Sequence, residues 1–187
     1  MNTTVLVIFI VAVVAMALAV VIFVYLRRRR TENLRKQFGP EYKRALDRHG
    51  DQSKAERELA AREKRVHKLE IRPLTADEQA RFTHAWKKTQ ALFVDEPSRA
   101  VREADTLVKE VMQTRGYPVG DFEQRAADIS VDHPKVVANY RSARDIAQRN
   151  KAGRATTEDL RQAVVHYRSL FEELLEAQSP ITHKEAV

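Results

Sequence analysis

Residues 5–30 read VLVIFIVAVVAMALAVVIFVYLRRRR, twenty-two apolar or near-apolar residues closed by four arginines. A hydrocarbon core about 30 Å thick takes roughly 20 helical residues at about 1.5 Å each, so Val5 to Leu26 can span it with some tilt. No charge interrupts the run, and Tyr25 falls at its exit, where an aromatic ring with a polar tip favours the interface. Residues 1–26 are therefore expected to form a transmembrane anchor.

A cleaved secretory signal is the competing reading, because Ala17-Leu18-Ala19 offers the small residues of a cleavage site. Such a signal needs a basic leader, and Met1-Asn2-Thr3-Thr4 supplies no basic side chain. Seven more apolar residues and the four arginines follow Ala19, which is the pattern of a stop-transfer sequence. Every basic residue lies on the C-terminal side of the run. The positive-inside rule then sends the N-terminus outward and keeps the remainder in the cytoplasm, with Arg27, Arg28, Arg29 and Arg30 as the topology-determining residues. Export of the C-terminal region is the alternative. The absence of cysteine suits a reducing compartment.

Charged residues make up 32% of the chain and only five glycines occur, which favours helices over a β-sandwich or barrel. The net charge of +7 is unevenly placed. Residues 27–72 hold 16 Lys/Arg against 8 Asp/Glu, whereas residues 73–187 hold 17 against 18. A nucleic-acid footprint calls for a basic face on a folded module, so nucleic acid is not an expected partner. The lipid bilayer is.

Residues 27–72 read as a basic juxtamembrane helical stalk. The anchor helix continues to Phe38, Gly39-Pro40 breaks it, and a short helix runs from Pro40 to about Arg48 before His49-Gly50-Asp51 stops it. Ser53 and Glu56 match a capping box that opens a helix to about Glu70. Its apolar stripe of Ala55, Leu59, Val66 and Leu69 is thin, and Arg62 occupies one seam position. The stripe suits pairing with a second copy as a short coiled coil, or docking onto the distal domain. The arginine block, with Arg35 and Lys36, either sets topology alone or also recruits anionic lipid.

Residues 73–178 read as a bundle of four long helices and one short helix, with 179–187 a flexible tail. Thr75 to Glu78 is a capping box for a helix carrying Phe82, Trp86, Thr89 and Phe93 inward. Glu96 to Arg115 places Val101, Ala104, Val108 and Val111 at helical spacing, and Gly116 takes the left-handed C-cap position. A short helix over Asp121 to Ser130 follows. Asp132 is expected to cap a fourth helix with Pro134 in its first turn, and Thr156 to Asp159 to cap the last, which Ser179-Pro180 ends.

The runs Phe93-Val94-Asp95-Glu96-Pro97, Arg115-Gly116-Tyr117-Pro118, Val131-Asp132-His133-Pro134 and His166-Tyr167-Arg168 resemble a family of uncharacterised bacterial single-span membrane or "secreted" hypothetical proteins. The resemblance covers most of 74–175. It implies a bacterial cell membrane and the same single-span layout, and it lends no catalytic residue.

The search for chemistry is mostly negative. Histidines at 49, 67, 84, 133, 166 and 183 form neither a zinc-protease pattern nor the Glu-x-x-His pairs of di-iron bundles, and no phosphate loop or nucleophile elbow occurs. No metal or cofactor is expected. Glu63 and His67 share a face, but on the exposed stalk. Asp128, Asp132 and His133 could serve acid–base work, with helix capping by Asp132 as the plainer account. Phe82, Trp86, Tyr140, Tyr167 and Phe171 could line a ligand pocket, although that spacing equally suits an ordinary core. Arg115, Tyr117 and Pro118 form a tight turn that could contact a partner, with Tyr117 folding back on the core as part of the helix C-cap contact as the plainer account. The expectation is a non-enzymatic, membrane-anchored interaction or scaffold module whose protein partner is unknown. Homo-oligomerisation through the stalk fits it, and the alternative is a small-molecule-binding or sensory bundle.

Overall fold

A computed structural model describes residues 3–176, with side chains from residue 9, and contains eight helices and no strand among them. Helix α1, Thr3–Phe38, is one unbroken rod of 36 residues, about 54 Å long. Gly39, with φ of 47°, makes the corner that Phe38 cannot, and Pro40 opens α2, Pro40–His49. Gly50 closes α2 in the left-handed conformation, its N–H bonded to the Leu46 carbonyl. Helix α3, Gln52–Val66, then runs beside α1.

The expected Ser53–Glu56 capping box does not form. Asp51 caps α3 instead, accepting from the Lys54 N–H at 2.8 Å. The reason is competition, because the Glu56 carboxylate is engaged by Thr31, Tyr42 and Gln52.

Helices α4 (Ala76–Asp95), α5 (Pro97–Thr114), α6 (Phe122–Asp132), α7 (Val137–Lys151) and α8 (Thr157–Glu176) complete the described chain. The Thr75–Glu78 capping box opens α4 as expected. Helix α4 lies on α5, α5 on α8, and α8 on α7, around Phe82, Trp86, Val101, Val108, Ile129, Tyr140, Tyr167 and Phe171. Each large side chain buried here contributes roughly 1.5–3 kcal/mol before chain entropy is set against it. The expected end of α8 at Ser179-Pro180 and the tail at 179–187 lie outside the described residues.

A second apolar cluster joins Leu34 and Phe38 of α1, Tyr42 and Ala45 of α2, Ala55, Leu59 and Val66 of α3, and Val131 of α6. Leu69 and Ile71 pack against both clusters. The segment following the long apolar run is thus folded onto the distal helices through α6. The stripe that suited pairing with a second copy is buried within its own chain, with Leu59 at 0% exposure and Arg62 at 2%.

Helix α5 ends in a Schellman motif. Tyr117 N–H bonds to the Met112 carbonyl and Gly116 N–H to that of Gln113, with Gly116 at φ of 98°. A Cβ at Gly116 would collide with the backbone carbonyl of Glu70, so the connector at 70–72 crosses where only glycine fits.

Candidate membrane interface and the charged clamp behind it

From Phe9 to Leu26, α1 touches nothing among the described residues. Its large apolar side chains are bare all round, from Val24 at 41% to Met16 at 69% exposure. A helix apolar on every face needs an apolar medium on every face. Arg27 to Arg30 continue the same helix fully exposed, and contact with the body begins at Thr31.

Glu56 is the first hub. Its Oε1 accepts from Thr31 at 2.8 Å, Gln52 at 2.8 Å and the Tyr42 hydroxyl at 3.0 Å. Burial acts to raise its pKa, but the three donors outweigh that and hold the carboxyl below the usual value. Helices α1, α2 and α3 are thereby tied at one carboxylate. The Arg35 guanidinium lies over the Tyr42 ring, 5.2 Å from its centroid.

Glu41 is the second hub, at 3% exposure. It accepts from Arg62 at 3.2 Å and from Arg141 at 3.1 and 3.3 Å. Arg62 also donates to Glu58 at 2.6 Å and to the Ser130 hydroxyl at 3.2 Å. Arg141 donates to Glu123 at 2.8 Å, and Glu123 accepts from Arg48 at 3.2 Å as well. Burial acts to lower the Arg141 pKa, and the two carboxylates more than reverse it. Because each buried charge meets opposite charge and hydrogen bonds, the clamp can be held in the interior. Its one signal in the sequence is the charged residue at the α3 seam, Arg62.

The acid–base candidates are not gathered into one group. Asp128, fully buried, accepts from Arg65 at 2.7 and 2.9 Å and from Gln124. Asp132 is the last residue of α6 and accepts from the Tyr117 hydroxyl at 2.6 Å, so it does not cap the next helix. Helix α7 starts later, at Val137, with no side-chain cap. His133 is 3.1 Å from Glu173 through Nδ1, and its buried Nε2 has no partner among the described residues. Three carboxylate and imidazole groups with three different partners make no proton relay.

The Arg115 to Pro118 turn faces inward for the most part. Arg115, at 1% exposure, donates to the carbonyls of Leu174 at 2.8 Å and Arg72 at 3.2 Å. It thereby ties the end of α5 to the backbone of α8 near the last described residues. Burial lowers its pKa. Burial beside Asp132 raises that of Tyr117. Both side chains are buried and hydrogen-bonded within the chain, and Pro118 is the exposed residue of the three.

The aromatics pack on each other. Trp86 stacks on Phe171 with centroids 4.7 Å apart, and Tyr140 meets Tyr167 edge-on at 6.2 Å. A concavity of about 610 Å³ lies instead along α7, lined by Arg44, Phe122, Glu123, Arg141, Arg144 and Arg149 among others. It is open and charged, and neither Trp86 nor Tyr167 lines it. Among the described residues no group of three or more metal-ligating side chains comes together, and Glu63 with His67 is an exposed pair at 3.8 Å. His183 lies outside the described residues. No family model, curated protein or solved structure matches this chain.

Proposed function

We propose that this protein is a membrane-anchored helical interaction module, held by one N-terminal span with its helical bundle on the cytoplasmic face of a bacterial cell membrane. The observation that carries the reading is the continuity of α1, whose bare apolar length passes without a break into two turns buried in the body at Leu34 and Phe38. Cleavage near Ala19 would leave Val20 to Leu26 as an exposed apolar stub on the product, which speaks for retention. The four arginines directly after the span support the inward orientation. A non-enzymatic role is supported by the dispersal of Asp128, Asp132 and His133 among separate partners.

Alkaline carbonate extraction and reporter fusions at both ends test the reading. The full-length chain is expected in the membrane pellet, with a C-terminal reporter active only in the cytoplasm. A shortened chain in the soluble exported fraction would refute it.

A further inference from the structure

The folding of α2 and α3 returns basic residues to the membrane-side end of the body. Thr31 stands five residues beyond Leu26, about 7.5 Å along the helix axis. The headgroup layer on each side of a bilayer is of similar depth, since about 30 Å of hydrocarbon lies within about 40–45 Å in all. Thr31 Oγ1 accepts from Gln52 Nε2 at 3.2 Å and donates to Glu56 at 2.8 Å. Gln37 meets Glu63 further along, so α3 runs parallel to α1 and its first turn faces the anchor's end. The first two turns of α3 expose Lys54 and Arg57 at this end of the body, and α1 exposes Arg27 to Arg30 just before it. Of the acids at this end, Asp51 accepts from the Lys54 N–H as the helix cap, Glu56 is held by Thr31, Tyr42 and Gln52, and Glu32 is exposed.

Topology determination does not account for these two residues. The rule counts basic residues within about 15–20 positions of a span, and Lys54 and Arg57 lie well beyond that in sequence. They reach the membrane level only through the fold. The geometry points to a composite basic surface, Arg27 to Arg30 with Lys54 and Arg57, that lies on the headgroups of anionic phospholipid. This rests on the membrane-anchored reading and adds a lipid class and a contact surface to it.

The chain lacks cysteine, so Ser53→Cys gives a single labelling site on the exposed first turn of α3. The full-length protein, spin-labelled there, is placed in nanodiscs of phosphatidylcholine alone or with phosphatidylglycerol. Relaxation by a headgroup-bound paramagnet is read, and co-retained lipid is measured by native mass spectrometry. The expected result is stronger relaxation and selective retention of phosphatidylglycerol. In Lys54→Glu/Arg57→Glu, retention should fall at least fivefold, since each basic residue near an anionic surface is worth about that factor. Both positions are exposed, and an acidic residue at position 54 suits the first turn of the helix, so this variant keeps its fold, which circular dichroism checks. Equal relaxation in both disc types, or unchanged retention in the double variant, overturns the proposal. Carbonate extraction of the same protein separates the two failures: a chain that leaves the membrane defeats the anchor itself, whereas a retained chain with no lipid preference defeats only the contact surface.

Discussion

Replacing Glu41 with glutamine tests whether the clamp holds α2 and α3 to the body. The substitution keeps the shape of the side chain and removes its charge, leaving the Arg62 and Arg141 guanidinium groups in the interior without the carboxylate they share. Removing one partner of a buried pair costs about 3–5 kcal/mol. Here Arg62 keeps Glu58 at 2.6 Å and Arg141 keeps Glu123 at 2.8 Å, which places the expected cost near the lower end, about 3 kcal/mol. At about 1.4 kcal/mol per tenfold, that is about a hundredfold faster opening. The loss concentrates on α2 and α3, which the clamp fastens, so amide hydrogen exchange on the full-length protein in detergent is the assay. Their core amides should exchange about a hundredfold faster, while those of α5 and α8 change far less. Arg48→Ala, which removes only an exposed contact to Glu123, serves as the comparison and should cost less than about 1 kcal/mol. If Glu41→Gln accelerates exchange no more than Arg48→Ala does, the cluster is not a clamp and the argument fails.

Gly116→Ala should cost about 1–3 kcal/mol from backbone conformation alone, and more from displacing the Glu70 carbonyl. Thermal melts followed by Trp86 fluorescence, from the chain's single tryptophan, would register it, and an unchanged midpoint would contradict the close approach. Asp51→Ala should lower α3 stability by about 1 kcal/mol whereas Ser53→Ala stays within about 0.5 kcal/mol, and the opposite ranking would restore the Ser53 cap. The Glu78 carboxyl, hydrogen-bonded by Arg72 and by the Thr75 N–H, is held down at about 2 against an ordinary 4.5. Its folded pKa is the depressed one, so its contribution is whole above pH 4.5 and is lost as pH falls through about 2. Carbon-detected NMR titration of that carboxyl would show it, and a midpoint near 4.5 would dismiss the Arg72 contact.

Features governed by neighbours in sequence were readable in advance. Gly39-Pro40, the Thr75–Glu78 box and Gly116 follow from backbone rules that operate over four residues, and each stands where those rules put it. The errors arise where a distant group competes for the same atom. Asp132 has the chemistry of an N-cap, but the Tyr117 hydroxyl occupies its carboxylate. Glu56 fits a capping box, but three donors from α1, α2 and α3 claim it. Tyr117 folds back on the core, as the plainer account of its turn has it, whereas nothing local signals that Arg115 reaches the backbone of α8. The clamp was the least legible part, since Glu41 and Arg141 are 100 positions apart and no periodicity joins them. Arg62 alone hinted at it, as a charge where an apolar residue was wanted.

The placement of Gly39 has a mechanical consequence. The first joint in the chain comes after Leu34 and Phe38 are already locked into the body, not between the apolar segment and the body. No swivel therefore separates the two, and the whole assembly behaves as a flag rigidly fixed to its pole. Under the membrane-anchored reading, a bilayer that thickens or thins changes the lean of α1, and no joint lies between the span and α2 to absorb that lean.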